Sequence, residues 1–238
     1  MRVTVHQPEF MPWLGFFHKA SLADVLVLLD DAQFTKNYFH NRNRVRTKAG
    51  PSWITVPVEK MALTTPLIET RIAEAHDPRW RAKIETTVRQ AYGKAPFFVP
   101  AFDELSALLN APGPLLTSLN VPIIEWLLRA FGLHAEVLRS SEMGIGSTAS
   151  QRVLDICERT GASTYVSGVS GVDYLDLRSF AKAGITIEYQ EFRHPIYPQL
   201  HPGFAPQISA VEALFLFGGE CGQLLDDAWP DKLEQVFA

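Results

Sequence analysis

Cysteine is scarce in this sequence, and its two cysteines are not arranged to bind a metal. Only Cys157 and Cys221 occur among the 238 residues, and neither belongs to a Cys-x-x-Cys pair or a Cys/His cluster. A structural zinc site needs several such ligands at short spacings, so the sequence predicts no site of this kind. Cys157 falls within the helical pattern of residues 152–162, which indicates a small core residue. So few cysteines are typical of a protein of a reducing compartment.

Long apolar runs and a strong charge of one sign are also missing. The longest apolar runs lie at 25–29 and 213–217, and both are far shorter than the roughly 20 residues that span a bilayer. The first residues lack the basic segment and long apolar run of a secretory signal peptide. The net charge of −4 disfavours a broad nucleic-acid-binding surface. We therefore expect a cytoplasmic protein without a membrane span.

The first 31 residues indicate how the sheet is built. Residues 2–6 alternate as a strand, residues 13–23 place apolar side chains at helical spacing, and residues 24–31 form a continuous apolar run that ends in two acids. A run of this kind is typical of a strand buried on both faces. Strand, short helix and buried strand form a βαβ unit with a right-handed crossover. This unit predicts a parallel sheet.

The rest of the chain continues the alternation around a helical block. Strands are predicted at 52–59, 67–74, 135–143, 164–168 and 185–192, and helices at 77–95, 97–110, 115–132, 148–162, 176–184 and 206–219. Asp77 as N-cap and Pro78 at the first helical position indicate where the first of these helices begins. The sequence therefore predicts one α/β domain over residues 1–238, with a Rossmann-like, mainly parallel sheet and a helical insertion at about 76–132.

Polar side chains follow three of the predicted strands where each strand ends. They are His6 and Gln7 after the first strand, Asp30, Asp31 and Gln33 after the second, and Ser167, Gly168, Ser170, Gly171, Asp173 and Tyr174 after the strand at 164–168. Ligands of open α/β sheets bind beyond the carboxyl ends of the strands, so we expect these groups to converge on one edge of the sheet.

Three of these side chains are candidate catalytic residues. His6 suits proton transfer or a hydrogen bond to a phosphate or carbonyl, although an imidazole can also simply cap a strand end. Pro8 and Pro12 favour a functional role because they hold the following loop rigid. Asp30 and Asp31 suit Mg²⁺ binding or base catalysis, whereas ordinary turn chemistry is the favoured interpretation for one of the two.

The strongest electrostatic feature is a basic stretch at 32–50 that contains no acid between Asp31 and Glu59. Its cations are Lys36, Arg42, Arg44, Arg46 and Lys48, and Asn41 and Asn43 alternate with two of the arginines. In an extended segment this alternation places both arginines on one face and both asparagines on the other. Arginine binds phosphate or carboxylate through two hydrogen bonds, so the stretch predicts an anion-binding site. A solvated basic loop is the alternative.

Two loops are candidate walls of the site. Residues 167–174 are rich in glycine at a strand end, which permits a close approach of the backbone to a ligand, but they match neither a Walker loop nor the GxGxxG motif. The segment 194–204 presents Tyr197 and Gln199 between prolines. Such a rigid polar loop indicates a binding-site wall, or only a crossover connection.

Several blocks of this sequence, taken together, resemble the WbqC-like protein family. They are HQPEFMPWLGFFHK at 6–19, DVLVLLDDAQFTKNYFHNRNRVRT at 24–47, WITVPV at 53–58, TYVSGVSGVDYLD at 164–176 and FRHPIYPQLHPGF at 192–204. The blocks follow the family's order and extend over nearly the whole chain. The family is bacterial, is often encoded among genes of surface-polysaccharide and O-antigen synthesis, and has been proposed to modify amino sugars, for instance with a glycyl group.

The resemblance implies a transferase that acts on an amino sugar or its nucleotide-linked form. His6 would act as base or phosphate contact, Asp30 or Asp31 would orient it or bind Mg²⁺ with ATP, and Arg42 and Arg44 would bind phosphate or carboxylate. The proposed substrate-binding residues are Gln7, Gln33, Lys36, Asn41, Arg42, Asn43, Arg44, Ser167, Gly168, Asp173, Tyr174, Tyr197 and Gln199. An aminoacyl-tRNA is a further conceivable donor.

A more distant similarity concerns the architecture. The first strand, its His-Pro ending and the buried second strand resemble nucleotidyltransferase-like domains with a HIGH motif, although the paired H-x-G-H is absent here. A nucleotidyl- or adenylyl-transferase, or a non-enzymatic protein that binds a sugar nucleotide, is therefore the alternative function.

Overall fold

The computed structural model of the protein describes residues 1–111 and 113–226. Its strands are β1 (Arg2–His6), β2 (Val25–Leu28), β3 (Arg42–Thr47), β4 (Gly50–Thr55), β5 (Glu136–Arg139), β6 (Thr164–Ser167) and β7 (Thr186–Tyr189). Its α-helices are α1 (Leu14–Ser21), α2 (Trp80–Tyr92), α3 (Phe98–Leu109), α4 (Leu116–Ala130), α5 (Ala149–Thr160), α6 (Leu177–Lys182) and α7 (Val211–Phe217).

Five short strands form a fully parallel sheet in the order β5-β2-β1-β6-β7. The central strand β1 pairs with β2 on one side, where Val3 lies opposite Val25, and with β6 on the other, where Val3 lies opposite Tyr165. All four residues of β2 are buried, as the continuous apolar run predicts. The Rossmann-like α/β prediction is confirmed.

Each face of the sheet packs against its own hydrophobic cluster, because side chains alternate along a strand. Val3, Val5, Val25 and Val27 face the smaller cluster, which includes residues of α5 and α6. Leu26 and other side chains of the opposite face join the larger cluster with α1, α7 and the three helices of the insertion. The helical insertion is present as α2, α3 and α4.

Some predicted elements differ in the structure. The strand predicted at 67–74 is a 3-10 turn at Leu67–Glu69 followed by isolated bridges, because no neighbouring strand extends alongside it. The helix predicted at 77–95 spans Trp80–Tyr92 with Arg79 as its N-cap, because a turn closed by the bond from the N–H of Trp80 to the backbone carbonyl of Asp77 precedes it. The side chain of Asp77 accepts a hydrogen bond from Lys83. The helix predicted at 206–219 is confined to α7, because residues 206–210 are mostly irregular and Ser209 forms an isolated bridge with Trp13.

A second sheet, formed by the antiparallel hairpin β3–β4, contains the arginine–asparagine alternation. Asn43 is opposite Ile54 and Arg44 is opposite Trp53. Within the described part of the chain, no helix combines the length and apolarity that crossing a bilayer requires. The division of the chain into one domain stays a prediction.

Candidate functional site

A cleft of about 680 Å³ lies beyond the carboxyl ends of β1 and β6. The chain leaves β1 toward β2 on one side and later returns on the other side at β6, so this position is the topological switch point where α/β sheets bind ligands. We call it the switch-point cleft. Its polar lining residues are His6, Gln7, Glu9, Lys19, Tyr38, Ser170, Tyr174, Gln190, Glu191, Arg193 and Gln207. Its aromatic lining residues include Trp13, Phe16, Phe39, Tyr165 and Phe192.

His6 ends β1 and presents a neutral imidazole to the switch-point cleft. Its Nδ1 lies 2.9 Å from the carbonyl oxygen of Gln7, which can only accept, so Nδ1 carries the proton and Nε2 has a free lone pair. The ring also meets the edge of Phe16 at a centroid distance of 4.6 Å. Burial lowers the pKa of His6 well below its usual value, and the charge of Lys19 lowers it further. The imidazole is therefore a hydrogen-bond acceptor at neutral pH.

Gln7 is oriented by a chain of hydrogen bonds that runs from Thr35 through His40 to its side-chain amide. The backbone N–H of Thr35 donates to Nδ1 of His40 at 3.1 Å, so the proton of this neutral ring lies on Nε2. That Nε2–H donates in turn to Oε1 of Gln7 at 2.8 Å. Burial lowers the pKa of His40 to about 4, which keeps this tautomer uncharged. The amide NH₂ of Gln7 is thereby left as a donor at the cleft.

Two charged residues of the cleft, Glu9 and Lys19, were not predicted from the sequence. Glu9 is 2% exposed and Lys19 is 6% exposed. Burial raises the pKa of Glu9 to about 7, against the opposing charge of Lys19. Burial likewise lowers the pKa of Lys19 to about 8, although Glu9 opposes this shift. The Nζ of Lys19 donates to the carbonyl oxygen of Val5 at 3.0 Å.

A sequence signal for Lys19 did exist. It lies in α1, whose residues Leu14 to Ala20 are all buried, because this short helix joins two central strands and is covered by the larger core cluster. Because such a helix has no solvent-exposed face at this position, the side chain of its lysine is buried. Glu9 lies in the loop between Pro8 and Pro12, which offers no periodic pattern.

The glycine-rich loop forms the β6 side of the switch-point cleft. Gly168 and Tyr174 line the cleft, whereas Asp173 is exposed and lies outside its lining. Ser167 is buried, and its hydroxyl donates to the carbonyl oxygen of Gly168 at 2.9 Å. A Cβ on Gly171 would come within 1.9 Å of the Ser167 Oγ, so a larger residue there would displace the Ser167 side chain.

Trp13 forms part of the cleft wall by lying on a glycine. A Cβ on Gly15 would lie 2.3 Å from the nearest indole carbon, so the indole occupies the space of the missing side chain. The edge of Phe192 meets the indole at a centroid distance of 5.5 Å. Gln190 ties the same wall to α1, because its Nε2 donates to the carbonyl oxygen of Gly15 at 2.8 Å.

The structure places Asp30 and Asp31 outside the lining of the switch-point cleft. Asp30 is fully buried and accepts from the Nε of Arg139 at 2.7 Å and from the backbone and hydroxyl of Ser141 at 3.0 and 2.8 Å. Asp31 pairs with Arg152 and accepts from the hydroxyl of Ser140. Both carboxylates therefore connect the end of β2 to β5, α5 and the turn between them. These contacts offer no support for a catalytic role.

Asn41, which precedes β3, and Asn43 within β3 are both buried and bind backbone. The Nδ2 of Asn41 donates to the carbonyl oxygen of Val56 at 2.8 Å. The Nδ2 of Asn43 donates to the carbonyl oxygens of Met11 at 2.7 Å and Phe10 at 3.2 Å. Asn43 therefore holds the loop that carries Gln7 and Glu9, but it does not reach the cleft itself.

Arg42 and Arg44 lie together on the other face of β3, over Trp53. Their guanidinium carbons lie 4.2 and 5.7 Å from the centroid of the Trp53 ring. Arg42 also donates to the carbonyl oxygen of Asn37, and Arg44 to that of Gln207 at 3.0 Å. Neither arginine lines the switch-point cleft. Anion binding by this pair stays a prediction.

The remaining predicted residues are distant from the cleft lining. Gln33 and Lys36 are exposed, and the Nε2 of Gln33 donates to the carbonyl oxygen of Leu63 at 2.5 Å. Tyr197 is buried, and both its hydroxyl and the Nε2 of Gln199 donate to Glu212, at 2.9 and 2.8 Å. Tyr197 and Gln199 thus belong to a polar cluster inside the fold.

Among residues 1–111 and 113–226, no three or more His, Cys, Asp or Glu side chains are grouped so as to hold a metal ion. The predicted magnesium ligand Asp31 is already paired with Arg152. In the switch-point cleft itself, Glu9 presents a buried carboxyl group and His6 a neutral imidazole. These two side chains and the amide of Gln7 are the groups that a bound molecule would meet.

Comparison with known proteins identifies the family of this chain. Uncharacterized protein Rv1507c of Mycobacterium tuberculosis is 31% identical over 234 residues, which cover 94% of this chain and 97% of the mycobacterial protein. No solved structure matches the chain. The family model of the WbqC-like protein family matches residues 7–223, from Gln7 of the cleft to the 3-10 segment after α7. The chain therefore belongs to the WbqC-like protein family.

Proposed function

We propose that the protein is a transferase of bacterial surface-polysaccharide synthesis that attaches an acyl or aminoacyl group, such as glycyl, to an amino sugar or its nucleotide-linked form. The observation that carries the proposal is the neutral imidazole of His6 at the switch point of a parallel sheet. Membership of the WbqC-like family supports an amino sugar as the substrate class, because modification of amino sugars has been proposed for this family.

The residues of the switch-point cleft suit proton removal during such a transfer. The amine nitrogen of the acceptor attacks the carbonyl carbon of the activated donor, a C–N bond forms, and the C–O bond to the leaving group breaks. Nε2 of His6 accepts the proton that the nitrogen loses and returns it to the leaving oxygen. The amide NH₂ of Gln7 orients an oxygen of the bound substrate. ATP with Mg²⁺, or an aminoacyl-tRNA, would supply the activated donor as a substrate.

The test is a transfer assay read by mass spectrometry. Purified protein is incubated with UDP-glucosamine together with glycyl-tRNA or, separately, with glycine, ATP and Mg²⁺. We expect the mass of the sugar to increase by one glycyl group. His6→Ala should slow this reaction by about 100-fold or more, the usual contribution of a general base.

Asp31→Asn is the informative comparison, because its carboxylate lies outside the cleft lining and is paired with Arg152. It should retain transfer when His6→Ala does not. Absence of any glycyl product, or equal rates for wild type and His6→Ala, would contradict the proposed function. Loss of transfer in a folded Asp31→Asn variant would instead favour the catalytic role predicted from the sequence.

A nucleotidyl- or adenylyl-transferase is the second candidate function. The position of the cleft, beyond β1 and beside α1 at the switch point, favours it, because nucleotides bind there in Rossmann-like folds. Release of pyrophosphate from ATP or CTP in the presence of the sugar would support this alternative. A sugar nucleotide that binds without any reaction would favour a non-enzymatic binding protein.

A further inference from the structure

The switch-point cleft contains two hydrogen-bond acceptors that no described residue satisfies. The Oε2 of Glu9 is buried and has no hydrogen-bond partner within residues 1–111 and 113–226. The Nε2 of His6 carries a lone pair, since the ring proton lies on Nδ1. Both side chains line the same cleft. A buried acceptor without a donor is rare in native proteins, and a bound ligand is one source of the missing donor.

Lys19 does not provide the donor that Glu9 lacks. Its ammonium group donates to the carbonyl oxygen of Val5 at 3.0 Å, and Oε2 of Glu9 stays without a partner although the two charges influence each other. A group that enters the cleft can supply the missing donor. A primary ammonium group fits best, because it brings three N–H donors and the positive charge that a buried carboxylate favours.

The neighbouring side chain indicates a second feature of the ligand. His40 donates to Oε1 of Gln7, so the amide NH₂ of Gln7 can only donate to whatever binds next to it. We propose that the switch-point cleft binds a primary amine that carries an oxygen on the adjacent carbon, with the ammonium group bound by Glu9 and the oxygen bound by Gln7. This inference deepens the proposed function, because it assigns the recognition of the acceptor amine to Glu9.

Three sugars that differ at one position test the proposal. D-Glucosamine carries the amine beside two oxygen-bearing carbons, D-glucose has a hydroxyl in its place, and N-acetyl-D-glucosamine has a blocked amine. Their dissociation constants are measured by saturation-transfer NMR near neutral pH. We expect wild type to bind D-glucosamine about tenfold or more tightly than either other sugar, which is the size of one charge-assisted hydrogen bond.

The Glu9→Gln variant keeps the shape of the side chain and removes its charge, so we expect it to lose this preference. Glu104→Gln is the matched control, since Glu104 is an exposed carboxylate of α3 outside the cleft lining and should leave the preference intact. Thermal unfolding verifies that both variants are folded. Should Glu9→Gln fail to fold, the wild-type comparison of the three sugars still decides.

D-Glucosamine that binds wild type no better than D-glucose, or not at all, would overturn the proposal, and so would a Glu9→Gln variant that keeps the preference. The binding measurement needs no donor substrate. A preference that depends on Glu9 therefore stands even if no transfer product forms, and transfer without an amine preference would support the proposed function while overturning this inference.

Discussion

Replacement of Asn43 by alanine should destabilise the protein strongly, because this side chain supports the loop between β1 and α1. Asn43 is completely buried. Its Nδ2 donates to the carbonyl oxygens of Phe10 and Met11 at 3.2 and 2.7 Å, and its Oδ1 accepts from the N–H of Arg44 at 2.8 Å. Met11 has a φ of +46°, a conformation that residues other than glycine adopt at a cost of about 1 kcal/mol. Asn43 helps to hold it there.

The expected magnitude follows from these contacts. Each of the three hydrogen bonds contributes about 1 kcal/mol net, and a buried carbonyl left without a donor adds a further penalty of about 1 kcal/mol or more. The free energy of unfolding should therefore fall by about 3 to 5 kcal/mol. For a chain of this size the urea dependence is about 3 kcal/mol per molar, so the midpoint of urea unfolding should decrease by about 1 to 1.7 M.

Urea denaturation followed by circular dichroism measures this change, and Asn41→Ala is the matched control. Asn41 is also buried and directly precedes β3, but its side chain makes one hydrogen bond, to the carbonyl oxygen of Val56. By the same reckoning, one hydrogen bond and one orphaned carbonyl, its replacement should lower the midpoint by only about 0.7 M. If the two variants have equal midpoints, Asn43 does not support the loop in the way described.

Two further predictions concern the cleft wall and the buried acid. Gly15→Ala should displace the indole of Trp13, since the new Cβ would lie 2.3 Å from it. We expect altered tryptophan fluorescence and a decrease of about 1 to 3 kcal/mol in the free energy of unfolding. Gly146→Ala should show neither change, because the space around Gly146 is open. Burial raises the pKa of Glu212 to about 7, so the folded state retains a proton that the unfolded chain releases above about pH 4.5, and wild type loses stability as the pH rises between these values. Between pH 5 and pH 7.5, the free energy of unfolding of wild type should fall by about 2 to 3 kcal/mol more than that of Glu212→Gln. Parallel pH profiles of the two proteins, measured by urea titration, would refute this assignment.

The position of the site could be predicted from the sequence because local patterns determine it. The alternating residues of β1 and the apolar run of β2 predicted a parallel sheet, and a parallel sheet directs His6 and Gly168 to the same edge. The alternation of side chains along a strand likewise predicted which face of β3 each residue occupies. In these places, local sequence and tertiary structure impose the same constraint.

The partners of the acidic residues could not be predicted, because they come from distant parts of the chain. Asp30 and Asp31 follow β2, but Arg139 and Arg152 lie 109 and 121 residues further on and draw both carboxylates away from the cleft. The burial of Glu9 could not be predicted either, for a different reason. A charged residue in a loop is normally exposed, and only the packing of the whole fold buries this one.

The loop between β1 and α1 depends on contacts that are formed much later along the chain. Asn120 of α4 donates to the carbonyl oxygen of Pro8, 112 residues earlier, and to that of His40, 80 residues earlier. During synthesis, the segment that bears Gln7 and Glu9 leaves the ribosome before the helical insertion, and Asn120 cannot fix it until that insertion has been made. The cleft should thus be among the last regions to form, and transplanting the first 31 residues to another parallel sheet would transfer its side chains without their geometry.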